Sequence, residues 1–210
     1  MRLEILTKKF QKTFRVEFLR DIEQNTTVPK LKDSTKTKGS FFSFAENFHY
    51  RPRGIVIGQN TPDSCVAAVC QMILHDENRY VLEYHLRSVL KINRDGTSIA
   101  KIPVALKKCG LTKHYQFLSD LDLAQLQSYC RHNLAVVLVK KTGEPFGHAL
   151  IVDGFETNEV DSFVLIRDSL PESLGAAYKV KIDVFKKFWL WKNDLRGLAV
   201  VVKSVLEVVK

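Results

Sequence analysis

Apolar positions along the chain fall into two kinds of pattern, helical in the first half and strand-like in the second. Ile5, Leu6, Phe10, Phe14, Phe18, Leu19 and Ile22 recur near helical spacing with charges between them, which predicts one amphipathic helix over residues 3–23. A polar stretch with Pro29 and Gly39 as breakers follows over 24–40, and Phe41, Phe42, Phe44 and Phe48 then bring the chain back to a core. Arg53–Gly58 reads as a short strand. The run from Cys65 to about His75 is apolar nearly all round, as in a central buried helix, with Asp63 or Ser64 as its N-cap. Further helices are predicted over Arg79–Leu90, over Ile99–Cys109 with Gly110 closing it, and over Asp120–Asn133. Then the period changes. Leu134–Lys140, Ala149–Phe155, Phe163–Arg167 and Leu198–Val202 are β-branched or apolar runs bounded by turn residues, with Val205–Val209 as a further candidate and a short helix over Asp183–Trp189. Helices first and antiparallel strands later predict an α+β domain with helices on one side of a sheet.

With 210 residues there is room for one full domain. The apolar share of 45% and charged share of 26% are those of an ordinary soluble globular chain. No run approaches the roughly 20 apolar residues of a membrane span, so none is expected. Met1–Phe10 has no apolar core ending in small residues, which predicts no Sec signal peptide and a cytoplasmic protein, or one delivered by another secretion route. The formal charge of +9 is uneven: residues 1–53 hold twelve Lys or Arg against six Asp or Glu. This marks 1–53 as a basic N-terminal extension of a domain over 54–210. A basic arm attracts nucleic acid or anionic lipid in some proteins, but no module interleaving aromatic and basic residues is present, so a nucleic-acid partner is not expected.

Cys65, Cys70, Cys109 and Cys130 show neither a C-x-x-C pair nor finger-like spacing, and neither a metal site nor a disulfide framework is expected. Phosphate loops, paired metal-binding histidines and the Gly-x-Ser-x-Gly elbow are absent from the sequence, so no cofactor is expected. Three cysteines read as small buried hydrophobes. Cys65 differs, because it opens a helix behind the polar segment Thr61-Pro-Asp-Ser64. Free N–H groups and the positive end of the helix dipole favour a thiolate there, and the thiolate is the nucleophilic form. Gln59, six residues upstream, has an amide N–H to lend to an oxyanion near that sulfur.

His148 and Asp168 are the downstream partners. If the strands around them form a hairpin centred near Asn158, the two lie directly opposite, with Cβ atoms about 4.5–5.5 Å apart. A carboxylate there would orient the imidazole and stabilise its protonated form. Asp153 lies an odd number of residues from His148 on the same strand and so points to the other face. The remaining histidines (His49, His75, His85, His114 and His132) lie among polar or turn residues and read as surface or capping groups.

The order of these motifs resembles the bacteriocin-processing peptidase family, whose papain-like domains cut double-glycine leader peptides. The resemblance rests on Gln59-x5-Cys65 with its apolar helix, Asp95-Gly-Thr-Ser98, Ala105-Leu-Lys-Lys-Cys-Gly-Leu111, Gly147-His148, Val164-Leu-Ile-Arg-Asp168 and Tyr178-Lys-Val with Phe185 and Trp189. It spans about residues 55–202. The family reads Asp-Cys-Gly and Asp-Pro where this chain has Asp63-Ser64-Cys65-Val66 and Asp168-Ser-Leu-Pro171. It implies a papain-like cysteine proteinase fold, with N-terminal helices packed on an antiparallel sheet, in a bacterial setting. It also implies Cys65 as nucleophile, His148 as general base, Asp168 as orienter and Gln59 as oxyanion donor. The expected activity is cofactor-free hydrolysis of a protein or peptide substrate through a thioester. The chain is also similar to papain-fold toxin and effector domains, some of which deamidate glutamine, and a non-catalytic binding module on the same scaffold is the third alternative.

Overall fold

In the computed structural model, residues 50–140, 147–170, 172–190 and 196–203 are described. The helix predicted over 3–23, the segment 24–40, the aromatic run 41–48, His49 and the strand predicted over 205–209 lie outside them. The described residues belong to one compact unit.

Its elements in chain order are α1 (Cys65–Asp76), α2 (Glu83–Leu90), a 3-10 turn (Ile99–Lys101) running into α3 (Ile102–Lys108), β1 (Tyr115–Leu118), α4 (Leu123–Cys130), β2 (Ala135–Val139), β3 (His148–Thr157), β4 (Ser162–Asp168), β5 (Ala176–Lys181), α5 (Ile182–Trp189) and β6 (Ala199–Val202). The strands form one sheet in the order β1-β6-β2-β3-β4-β5, every pair antiparallel. The fold is α+β, with most of the helices ahead of an antiparallel sheet.

The predicted helix at Cys65 is present and is the buried centre of the domain. Val66, Ala67, Ala68, Val69, Cys70, Met72, Ile73 and Leu74 are all buried, because α1 is covered by α2 and α3 on one side and by the sheet on the other. Each of its larger apolar side chains contributes about 1.5–3 kcal/mol relative to exposure. Its sheet contacts are the alternate residues Val136, Ala149, Ile151 and Val200. The opposite alternation, including Val137, Leu150, Val152, Val164 and Ile166, meets α4 and α5 through Leu126, Cys130, Phe185 and Trp189. The first helices cover one face as expected. The later two cover the other, so the sheet is apolar on both sides, which is why its central strands read as continuous apolar runs.

Several boundaries differ from expectation. Residues 53–58 are not a strand: no neighbouring strand pairs with them, and side chains take their backbone groups instead. Asp76 accepts from the Ile55 N–H at 3.0 Å and Arg167 donates to the Ile55 carbonyl at 2.9 Å. The second helix starts at Glu83 rather than Arg79, because Asn78 takes a left-handed φ of 58° and Arg79 N–H returns to the Leu74 carbonyl, ending α1. The third begins as a 3-10 turn capped by Ser98, whose side chain accepts from Ala100 N–H. The fourth spans only Leu123–Cys130, since Asp120 has a φ of 57° and a capping box between Asp122 and Gln125 sets the start. The strands β1 and β5 were not predicted at all, and both are sheet edges.

Candidate active site

Cys65 is the first residue of α1, following Ser64 in the N-cap position. Neither Ser64 nor Asp63 caps the helix with its side chain. The Ser64 hydroxyl donates to the Thr61 carbonyl at 2.9 Å, and Asp63 pairs with Arg87 of α2 at 2.8 Å. That ion pair, helped by the Thr61 hydroxyl, holds the Asp63 carboxyl down at about 2. The first-turn N–H groups of α1 are therefore left for the site rather than consumed by a cap. Arg87 also donates to the Thr61 hydroxyl at 2.7 Å, and Glu83 accepts from the Asn60 N–H at 3.0 Å, so α2 clamps the whole segment ahead of the thiol.

His148 opens β3, where it pairs with Val139 of β2. Asp168 closes β4 and pairs with Ala176 of β5. The imidazole Nε2 and Asp168 Oδ1 are 2.6 Å apart, and both side chains are almost wholly buried. The same Oδ1 accepts from the Leu170 N–H at 2.9 Å and Oδ2 accepts from the Tyr178 hydroxyl at 2.6 Å. With Nε2 turned to Asp168, Nδ1 is the ring nitrogen left on the side of Cys65, whose thiol is acted on by the His148 side chain and the backbone of Ala149 and Val66.

The electrostatics follow from these contacts. Burial pushes the Cys65 thiol up, but the hydrogen bond and charge of His148, with the Ala149 and Val66 amides, outweigh it and hold the thiol below its ordinary value. Burial pulls His148 down, and the charge and hydrogen bond of Asp168, with Cys65, lift it to about 10. Both displacements, the thiol downward and the imidazole upward, favour the thiolate–imidazolium form over the neutral pair. Cys65 remains partly exposed, so a reagent or substrate reaches it. Cys70 and Cys130 are buried and their thiols are pushed up by that burial, Cys130 to about 12. Cys109, part-exposed, is raised by burial as well.

Gln59 is buried, and the Gln59 amide Nε2 donates to the Thr61 carbonyl at 2.9 Å while Oε1 accepts from the Ser169 hydroxyl at 2.8 Å. Its backbone is tied to the chain after β4 by Gln59 N–H to Ser169 carbonyl at 3.0 Å and by Ser173 N–H to Gln59 carbonyl at 2.9 Å. Gly58 and Gly175 allow that approach. A Cβ on Gly58 would lie 2.2 Å from Leu174 N, and one on Gly175, whose φ is +68°, would lie 2.9 Å from the Asp168 carbonyl.

The structure thus brings Cys65, His148 and Asp168 together and holds Gln59 beside the last of them. His148 and Asp168 do not face each other directly, however. The hairpin turns between Thr157 and Ser162, and β3 bulges between Val152 and Gly154, so Ile151 faces Arg167 and Asp168 lies diagonally from His148 on the same face. Asp153, in the bulge, points away from His148 as expected and pairs with Arg167 at 2.8 Å. Sequence reasoning gave no role to Tyr178, Ser169 or Arg87. Each is separated from its partner by 10 to 110 residues, and no local spacing signals such contacts. Among the described residues no group of His, Cys, Asp or Glu could hold a metal ion, and no helix is long and apolar enough to cross a membrane.

A helix-borne thiol against a sheet-borne imidazole, with this element order, defines a papain-like domain. The chain belongs to the peptidase C39 family, whose profile matches residues 54–190, and it is a cysteine-type peptidase. Among solved structures it is similar to the peptidase domain of Streptococcus ComA, a bifunctional ABC transporter of a quorum-sensing pathway. Identity is 23% and the TM-score 0.54, over 73% of this chain and 98% of that one. It is also similar to a double-glycine-motif protease from an AMS/PCAT transporter, solved with its leader peptide, at 18% identity and a TM-score of 0.56 over 74% of this chain and 94% of that one. No curated protein sequence matches significantly.

Proposed function

We propose that this peptidase cleaves peptide bonds through a Cys65–His148–Asp168 triad and a thioester on Cys65, with a peptide carrying small residues before the scissile bond as the substrate class to test first. The observation that carries the reading is the buried 2.6 Å hydrogen bond between His148 and Asp168, with His148 also acting on the thiol of Cys65 at the first turn of a helix.

The Cys65 thiolate attacks the carbonyl carbon, forming a C–S bond and moving the carbonyl π electrons onto oxygen. That oxyanion accepts from the Gln59 Nε2–H and the Cys65 backbone N–H, the latter without a helical acceptor at its position. Collapse expels the amine, which takes its proton from the His148 imidazolium. Neutral His148 then takes a proton from water as the water attacks the thioester, and the thiolate leaves. Asp168 keeps the ring oriented and its protonated form favoured throughout. Residues 54–210 form the catalytic domain in this reading, with 1–53 as a basic extension.

Intact-mass analysis after a thiol-reactive epoxide, on the wild type, Cys65→Ala and His148→Ala, tests the pair. One adduct on the wild type, absent from both variants, is expected. Slow labelling spread over all four cysteines and indifferent to His148→Ala would sink the reading.

A further inference from the structure

Two side chains emerge consecutively at the end of β4, and each reaches a different part of the site. Asp168 accepts from His148, while the hydroxyl of Ser169, the next residue, donates 2.8 Å to Gln59 Oε1. Both Ser169 and Gln59 are buried, at 0% and 1% exposure, so water does not replace this bond. We infer that Ser169 is a positioning residue that fixes which end of the Gln59 amide faces the oxyanion; the inference rests on the mechanism proposed above.

A primary amide has two nearly isosteric ends, and nothing in its shape alone selects one. Here two neighbours select it together. The Thr61 carbonyl, which only accepts, lies 2.9 Å from Nε2, and the Ser169 hydroxyl, which has a proton to give, lies on Oε1. Turning the amide over would set Oε1 against the Thr61 carbonyl, oxygen to oxygen. In the observed sense one Nε2 hydrogen is taken by Thr61 and the second is free to meet the oxyanion. The backbone repeats the link, since the Gln59 N–H donates to the carbonyl of Ser169 itself. Ser169 therefore couples the amide of the oxyanion site to the strand end that carries Asp168. Without its hydroxyl the amide loses one of its two directing bonds, and the flipped state, which presents an acceptor to a developing negative charge, becomes populated.

The test separates this role from a merely structural one by using two reactions of the same thiol. Displacement of iodide from iodoacetamide occurs at a saturated carbon and creates no oxyanion. Acyl transfer from benzyloxycarbonyl-Gly-Gly 4-nitrophenyl ester to Cys65 creates one. For Ser169→Ala we expect alkylation at the wild-type rate, ester kcat lower by about tenfold and an unchanged KM. Gln59→Ala should lose about a hundredfold, and the double variant should be no slower than Gln59→Ala alone. An unchanged kcat in Ser169→Ala, or losses that multiply in the double variant, would overturn the assignment. So would a fall in alkylation matching the fall in acylation, since Ser169 would then only support the fold. A wild type that is alkylated rapidly yet never acylated by the ester would instead bring down the catalytic reading, and this inference with it.

Discussion

Ile151 faces Arg167 across the β3–β4 ladder, and it does so only because β3 carries one extra residue between Val152 and Gly154. Nearer the turn Phe155 faces Val164 and Thr157 faces Ser162; continued without the bulge, that register would set Ile151 opposite Asp168. Successive strand residues point to opposite faces, so a shift of one would turn Asp168 towards the α1 side of the sheet and Arg167 towards the His148 side. The bulge is what delivers the carboxylate to His148. Arg167, on the other face, pairs with Asp153 in the bulge and with Asp76 of α1, each at 2.8 Å.

This buried ion-pair group should be sensitive to losing one member. Asp153→Ala leaves buried Arg167 short of one of its two carboxylate partners, and should destabilise the domain by about 3–5 kcal/mol. Urea denaturation with an unchanged m-value is the measurement; a loss under about 1 kcal/mol would mean the register is held by packing alone.

The thiol should depend on His148 for its acidity. In the wild type His148 outweighs the burial that opposes the thiolate, so alkylation of Cys65 should persist well below the ordinary thiol value of about 8.5. In His148→Ala burial is left unopposed by the ring, and the alkylation limb should move to higher pH. Rates of iodoacetamide modification from pH 5 to 10 check this, and superimposable profiles would contradict it.

Asp168 should set the alkaline edge of peptide hydrolysis. The amine leaves only while His148 is protonated, so activity should fall as pH rises through about 10 in the wild type. Asp168→Asn removes the charge that raises His148, and burial, which lowers it, then dominates. The alkaline limb should therefore move to lower pH, and the acid limb to higher pH as the thiolate loses its cationic neighbour. The kcat/KM profile of Asp168→Asn should be narrower from both sides.

Gly58→Ala should reach the site from a distance. Its new Cβ would lie 2.2 Å from Leu174 N and 2.5 Å from the Ser173 carbonyl carbon, both backbone atoms that give only if the segment moves. The Gln59–Ser173 and Gln59–Ser169 backbone bonds would open, and kcat should drop by at least tenfold, while the thiol's alkylation changes little. Wild-type kcat in this variant would show that the segment can move without disturbing Gln59.

Features legible in the residues alone were carried by patterns that are local in the chain. The apolar run after Cys65 must be a buried helix, and its first turn places a thiol where a thiolate is favoured. The β-branched runs of β2, β3, β4 and β6 are central strands covered on both faces, so their hydrophobicity was legible without a partner. The edge strands β1 and β5 were not, because an edge mixes polar residues such as Gln116 and Lys179 into four to six positions and owes its form to its one neighbour. Arg53–Gly58 misled in the opposite sense, with strand-like composition but no strand to pair with. The rest emerges on folding: the bulge that turns Asp168 to His148, the Tyr178 hydroxyl on the same carboxylate, and the Ser169 hydroxyl on Gln59. A hydrogen bond between residues 110 apart leaves no periodicity, and strand register depends on turn and bulge together; both are settled when the sheet closes against its helices.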